Sequence, residues 1–482
     1  MGLLGILAGL GVLIWLAYRG WSVLLVGPAA ALLAAAFAGE PLLASWTQTF
    51  MAAAARFIAQ FFPLFLLGAL FGKLMDDSGS ALAIARALAG RLGREQAILA
   101  IVLAGALLTY GGVSLFVAAF VVVPVAEALF QEADVPRRLI PASVALGAFS
   151  FTMTALPGTP AIQNAIPMPY FGTTPFAAPG LGLIAAAIML GFGLWWLRRV
   201  ESAARRAGEG YGAKPIGSTR PDDQLVRERA VITDTFDPAE VAHGHRDAGG
   251  PPFWIAVLPM LVVIAVNLSM SILVLPRLDS EFLAEPRFGP TSLAAVGGIW
   301  SVATALLAAI VVLVVLNRRR LPALRETMDA GANASVLPAL NTASMVGFGG
   351  VVAALPAFAG VRDALLAVPG GPLVSVAVAT NVIAGITGSA SGGLMITLNA
   401  LGETYVQMAA AAGIDPALMH RVAAIGCGGL SSLPHNGAVV TLLSICGATH
   451  RGSYREIAMV MLAGTLLALM VIIPLGKIAG SF

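Results

Sequence analysis

Two apolar stretches of this chain, far apart in sequence, are interrupted by the same residues in the same order. Gly111, Ser114 and Leu156-Pro157 mark the first, and Gly388, Ser391 and Leu433-Pro434 mark the second. Every pair is separated by the same number of positions, so the match extends across two different motifs rather than one abundant residue. Such breaks leave backbone N–H and C=O groups without helical partners, which is tolerated at bilayer depth only where the chain is buried in protein or lines a watery cavity. Matching interruptions in the two halves of a hydrophobic chain point to the binding site of a secondary transporter.

The composition places these breaks in a membrane. The chain is 58% hydrophobic and 11% charged, with a mean hydropathy of +0.88, against roughly 25% charge in soluble domains. An all-α integral membrane protein is expected. A span needs about 20 apolar residues, and ten fit near 2–18, 21–38, 52–73, 139–166, 177–197, 252–275, 291–317, 334–358, 415–447 and 453–476. The first has no basic leader and no small-residue cleavage site, so it reads as a retained span. Residues 95–131 and 371–412 are apolar but broken centrally by TYGGVS and ITGSASGG, and both read as re-entrant hairpins.

Loop charge sets the orientation. Arg86, Arg91, Arg94, Arg137 and Arg138 flank the first hairpin, whereas Arg362, Asp363 and Asp415 flank the second. The positive-inside rule then opens the first hairpin to the cytoplasm and the second to the opposite face, giving two inverted-topology repeats. On this reading residues 1–199 form the first repeat, with hairpin 95–131 and broken helix 139–166. Residues 200–250 are a cytoplasmic linker, and residues 251–482 hold a linking span and the second repeat, with hairpin 371–412 and broken helix 415–447. Both termini are predicted to be periplasmic, in a bacterial cytoplasmic membrane.

The net charge of +3 follows from basic residues at span ends and does not call for a nucleic-acid partner. Cys427 and Cys446 share one apolar segment without metal-ligand spacing, so neither a metal nor a cofactor is expected. Ser431, Ser432 and Cys427 stand near His435, yet the chain has no HExxH or paired-aspartate signature for an intramembrane enzyme. A channel filter motif is also missing.

Each half-helix that starts at a break directs its N–H groups and partial positive charge into the protein. Four such ends meeting at one cavity would bind a carboxylate without a buried Arg or Lys. The candidate substrate-binding residues are therefore Gly111, Gly112 and Ser114 at the first hairpin tip, and Gly158, Thr159 and Asn164 at the first broken helix. Their counterparts are Gly388, Ser389 and Ser391 at the second tip and His435, Asn436 and Gly437 at the second broken helix. The hydroxyl and amide side chains in this set either donate to a ligand or cap the helix ends. His435 is the candidate for proton coupling because histidine titrates near physiological pH; the alternative is a neutral ring held by hydrogen bonds. Glu127, Glu403, Asp76 and Asp77 are expected in solvent near the membrane faces.

GLLGILAGLGVLIWLAYRGWS, LLTYGGVSLFV, ALPGTPAIQNAIP, and TGSASGGL followed by GLSSLPHNGAVVTLL resemble the gluconate permease family of the ion transporter superfamily. The likeness runs over nearly the whole chain and is strongest toward members known as D-beta-hydroxybutyrate permeases. It implies an inverted-repeat fold whose hairpins and broken helices move against a scaffold that forms a homodimer. The implied activity is proton-coupled uptake of an organic acid anion, with gluconate-like sugar acids or sodium coupling as alternatives. The chain departs from the gluconate pattern in two places. Gly111 follows Tyr110 where the family's gluconate transporters have an acidic residue, and ALPGTP replaces a histidine-bearing proline run. The neighbours left behind, Val113, Leu115, Phe116 and Met153, suit a small monocarboxylate such as 3-hydroxybutyrate, since a polyol's hydroxyls would go unpaired.

Overall fold

The computed structural model describes residues 2–19, 21–212, 250–434 and 436–482. His435 and most of the 200–250 linker lie outside the described residues. Among the described residues every regular element is helical. Seven of these helices are long and apolar enough to cross a membrane: Leu42–Asp77, Leu115–Glu132, Pro179–Arg206, Phe253–Arg277, Leu293–Asn317, Leu324–Ala354 and His450–Ala479. An eighth is gained if Ser80–Leu92 and Arg94–Tyr110, bent by 107° about Gly93, count as one span.

The expected ten differ from this set for local reasons. Gly2–Tyr18 and Val23–Ala38 are 17 and 16 residues long, just under a full crossing. The segment 139–166 contains only short helices, and Pro157, Gly158 and Pro160 leave an irregular stretch between Thr154 and Ile162. No long second half-helix follows that break, because Pro167 and the left-handed Gly172 divide what remains into Ile162–Ala165 and Pro167–Phe171. The segment 415–447 is divided similarly, into Pro416–Gly426 and Gly437–Ile445.

Helices Gly2–Tyr18, Val23–Ala38, Leu42–Asp77 and Leu324–Ala354 pack on one another, and Leu293–Asn317 with Phe253–Arg277 extends the group. A second group gathers around two helical hairpins. Arg94–Tyr110 and Leu115–Glu132 pack on Ile140–Ala148, while Pro372–Thr387 and Ala390–Ala411 pack on Pro416–Gly426. Small residues permit this density: a Cβ on Gly393 would collide with the backbone of Ala384 in the opposite arm.

The His450–Ala479 helix measures out the second group. Near its start, Arg138 binds Glu209 at 2.7 Å and Glu456 at 3.3 Å, and Arg137 binds Glu127 at 2.6 Å and the Cys446 carbonyl at 3.0 Å. Those residues stand at the open end of the first hairpin. Near its other end, Lys477 Nζ donates to the Gly370 carbonyl at 2.5 Å and Ser481 bonds to Asp415, both at the open end of the second hairpin. Thirty helical residues span about 45 Å, so the two hairpins open toward opposite ends of the molecule.

Two charges sit where solvent was expected. Asp76 and Asp77 are 4% and 1% exposed. Asp77 pairs with buried Lys73 at 2.9 Å and accepts a hydrogen bond from Thr327 Oγ1 at 2.7 Å. The Leu324–Ala354 helix covers this end of Leu42–Asp77, which a count of residues from the span end does not reveal. Glu127 is partly covered by its pairing with Arg137, and Glu403 is exposed as expected.

Candidate functional site

The helix of the first hairpin stops at Tyr110 because Gly112 adopts φ +99, a conformation that side chains resist. The chain restarts as a helix at Leu115, whose first-turn N–H groups have no acceptor within the helix. In the second hairpin Gly388, at φ +67, ends Pro372–Thr387, and Ser389 Oγ caps the next helix by accepting the Gly392 N–H at 3.0 Å. At the second break Asn436 Oδ1 accepts the Ala438 N–H at 2.7 Å, while its Nδ2 donates to the Gly388 carbonyl at 2.6 Å. One side chain thus fastens the second hairpin tip to the second broken helix. Tyr110 does the same for the first pair, donating its hydroxyl to the Pro157 carbonyl at 2.9 Å.

Two adjoining cavities occupy the space between these tips. The larger, about 140 Å³, lies between the Leu64–Ala69 face of the Leu42–Asp77 helix, the first hairpin tip and Pro160–Gln163. The smaller, about 50 Å³, takes residues from all four interrupted segments: Leu115; Met153, Thr154 and Gln163; Ser389, Ala390 and Ser391; and Gly428, Ser431, Asn436 and Ala438. Leu115, Met153 and Gln163 line both. Among the described residues, no Asp or Glu lines either cavity.

The candidate residues divide accordingly. Gly112 and Ser114 line the larger cavity, and Ser389, Ser391 and Asn436 line the smaller. Gly437 is buried as the first residue of its helix beside them. Gly111 faces away, packed against Met260. Gly158 and Thr159 do not reach the cavities. The Gly158 N–H donates to the Pro175 carbonyl at 2.9 Å, its carbonyl accepts from Asn267 Nδ2 at 2.9 Å, and buried Thr159 turns its hydroxyl to the Ala161 N–H. Of the apolar neighbours, Val113, Leu115 and Met153 line the larger cavity, while Phe116 is wholly buried edge-on against Phe149.

Asn164 belongs to a different structure, one that corrects the expectation of a site without buried arginine. Arg421, on the Pro416–Gly426 helix, is 0% exposed and reaches across to the first broken helix. Its guanidinium donates to the Ala177 carbonyl at 2.7 and 3.0 Å, to Asn164 Oδ1 at 3.1 Å, and at longer range to the Pro175 and Thr154 carbonyls. Buried His420 joins it, one ring nitrogen 3.2 Å from Asn164 Oδ1 and the other 2.6 Å from Thr173 Oγ1. Asn164 Nδ2 in turn holds the Thr159 and Pro175 carbonyls, both at 3.0 Å. The clamp exists because the irregular stretch after Thr154 exposes carbonyls that no helix satisfies. Among the described residues, Arg421 donates to carbonyl and amide oxygens and to no carboxylate. Thr154, whose carbonyl it touches, lines the smaller cavity.

Sequence reasoning passed over three residues here. Arg421 was legible as a charge within a predicted span, which is a functional signal by default. Gln163 was hidden beside the more conspicuous Pro-Gly string. His450 reaches the second break only through folding, donating Nε2–H to the Pro434 carbonyl at 2.8 Å.

Comparisons with known proteins supply the lineage. Residues 1–170 match the family described as GntP family permease. The Bacillus subtilis (strain 168) protein named uncharacterized transporter YxjC is 42% identical over 472 residues, covering 96% of this chain and 97% of its own. Among solved structures, the YdaH transporter of Alcanivorax borkumensis is similar over 90% of this chain and 88% of its own, at 15% identity and a TM-score of 0.46. With a relative as similar as the Bacillus protein along nearly its whole length, the chain belongs to the GntP permease family and is a multi-pass membrane transporter, not an enzyme.

Proposed function

We propose that the chain is a secondary active transporter that carries a small organic acid anion, such as 3-hydroxybutyrate, in symport with a proton across a bacterial cytoplasmic membrane. The observation that carries this reading is the smaller cavity, where residues from all four interrupted segments meet. Helices starting at Leu115, Ala390 and Gly437 bring the positive ends of their dipoles to it. A carboxylate there meets N–H groups and hydroxyls and, among the described residues, no opposing acid, with the Arg421 charge close behind.

A cavity of about 150 Å³ accommodates a molecule the size of benzene, so the larger chamber, at about 140 Å³, has room for the carbon chain of a short hydroxy acid. The opposed hairpins support an inverted-repeat mechanism in which hairpins and broken helices move together against the remaining helices; about ten crossings, two re-entrant hairpins and periplasmic termini are part of that reading. A homodimer held by those remaining helices belongs to the same reading, as does proton transfer by His435. Uptake of labelled 3-hydroxybutyrate and gluconate into proteoliposomes, under proton and sodium gradients imposed separately, tests transport, substrate and coupling ion together. Accumulation of the short acid driven by the proton gradient alone is expected. Accumulation driven only by sodium, or of gluconate in preference, would replace the coupling ion or the substrate.

A further inference from the structure

We propose that Gln163 reads a hydroxyl on the substrate, with the carboxylate seated in the smaller chamber and the carbon chain in the larger. The inference rests on the carboxylate reading above and assigns the orientation of the anion. Gln163 is 3% exposed, lines both chambers, and has an Oε1 with no hydrogen-bond partner among the described residues. Asn317 Oδ1, Thr441 Oγ1 and Thr465 Oγ1 share that condition, and none of those residues lines either chamber. Buried polar atoms in folded proteins are nearly always paired, so an orphan acceptor on a residue lining a ligand-sized space is one that a bound ligand can complete.

The backbone that carries Gln163 is held in place, because its neighbour Asn164 is fixed by Arg421, His420 and the Thr159 and Pro175 carbonyls. Ser391, Asn436 and the helix starts at Ala390 and Gly437 border the smaller chamber. Leu64, Phe65, Ile162 and Leu306 line the larger together with Thr109, Ser114 and Ser335, and of the helix starts at Leu115, Ala390 and Gly437 only the first borders it. With the carboxylate at the Ala390 and Gly437 helix starts, the carbons nearest it pass Gln163. A hydroxyl there donates to Oε1. The class of ligand is then a short hydroxy monocarboxylate. An unsubstituted fatty acid leaves the amide oxygen unpaired.

The test is equilibrium binding to the purified full chain in lipid nanodiscs, using 3-hydroxybutyrate, butyrate and gluconate with the wild type, Gln163→Leu and Gln163→Met. The wild type should bind 3-hydroxybutyrate about tenfold more tightly than butyrate, the discrimination expected when an analogue leaves one buried acceptor unpaired. In both variants that ratio should fall to near one. Their unliganded melting temperatures should equal or exceed that of the wild type, because removing an unpaired acceptor removes a defect, whereas a purely structural glutamine would melt lower on substitution. Equal wild-type affinity for the two short acids, or a tenfold ratio that persists in the variants, overturns the role of Gln163 and leaves the carboxylate reading standing. Failure of the wild type to bind either short acid removes both. Should Gln163→Leu not fold, Gln163→Met and the wild-type selectivity decide the matter.

Discussion

Lysine in place of Arg421 should destabilise this protein more than methionine does, despite being the more conservative replacement. Arg421 is fully buried, and its fork gives the Ala177 carbonyl two bonds, at 2.7 and 3.0 Å, and Asn164 one at 3.1 Å. Methionine would strip the side-chain donors from the Ala177 and Thr154 carbonyls. Pro175 would keep Asn164 Nδ2 and the Gly158 N–H, and Asn164 would keep His420. An orphaned buried acceptor costs about 1–3 kcal/mol, and part of that loss is offset because no charge then needs to be desolvated. A net loss of about 2 kcal/mol follows for Arg421→Met. Lysine retains the buried charge but offers a compact ammonium that cannot span Ala177 and Asn164 as the planar fork does, so a loss of about 3–4 kcal/mol is expected for Arg421→Lys from desolvation with fewer bonds. Anion affinity should rank the other way, with the lysine variant keeping part of it and the methionine variant losing more. Denaturant unfolding of the purified protein followed by tryptophan fluorescence, paired with equilibrium binding, measures both. Wild-type stability in the lysine variant would refute the argument, because it would mean that the fork geometry holds nothing.

The buried Lys73–Asp77 pair should behave as a unit. Lys73→Met or Asp77→Leu alone should cost about 3–5 kcal/mol, with the double variant returning most of that loss; a double-mutant unfolding cycle that is simply additive would contradict it. Gly112→Ala should cost about 1–2 kcal/mol through its φ of +99 alone, with a Cβ only 3.2 Å from Leu306 and 3.3 Å from Pro160, and unfolding midpoints measure it. His435→Gln should abolish proton-driven accumulation in proteoliposomes, and full retention of it would exclude this residue from coupling. The Arg138 hydrogen bond holds the Glu209 carboxyl below its ordinary value of 4.5, so the stability it contributes is present above that value and is lost as pH falls through the lowered one. Glu209→Gln should therefore flatten the acid side of the stability profile below about pH 4.5, by a small amount because the pair is partly exposed and screened by salt.

What the sequence disclosed and what it withheld follow the range of the interactions involved. A helical membrane protein was legible in the composition, and a helix end is a local event: Gly112 and Gly388 at positive φ stop their helices whatever surrounds them. The span count was less legible, because the α-helices in the two broken segments are only four to eleven residues long. The cavity lining was readable at Ser389, Ser391 and Asn436, which sit at helix starts, and unreadable at Gln163, which sits at a start of one turn only. The Arg421 clamp joins positions 244 to 267 residues apart, and Asp77 is buried by a helix 250 residues away. No local pattern encodes such distances, and proximity to a span end suggested solvent where packing supplied none.

The Arg421 charge, held by carbonyls rather than by an acid, also has an electrical consequence. Moving one elementary charge through the whole transmembrane field exchanges about 2.3 kcal/mol per 100 mV. A guanidinium bonded to Thr154, Asn164, Pro175 and Ala177 while rooted in the second broken segment ties these stretches together. If the proposed mechanism carries them across part of the bilayer, the empty form should feel the membrane voltage, and binding of the proposed carboxylate beside the charge should weaken that dependence.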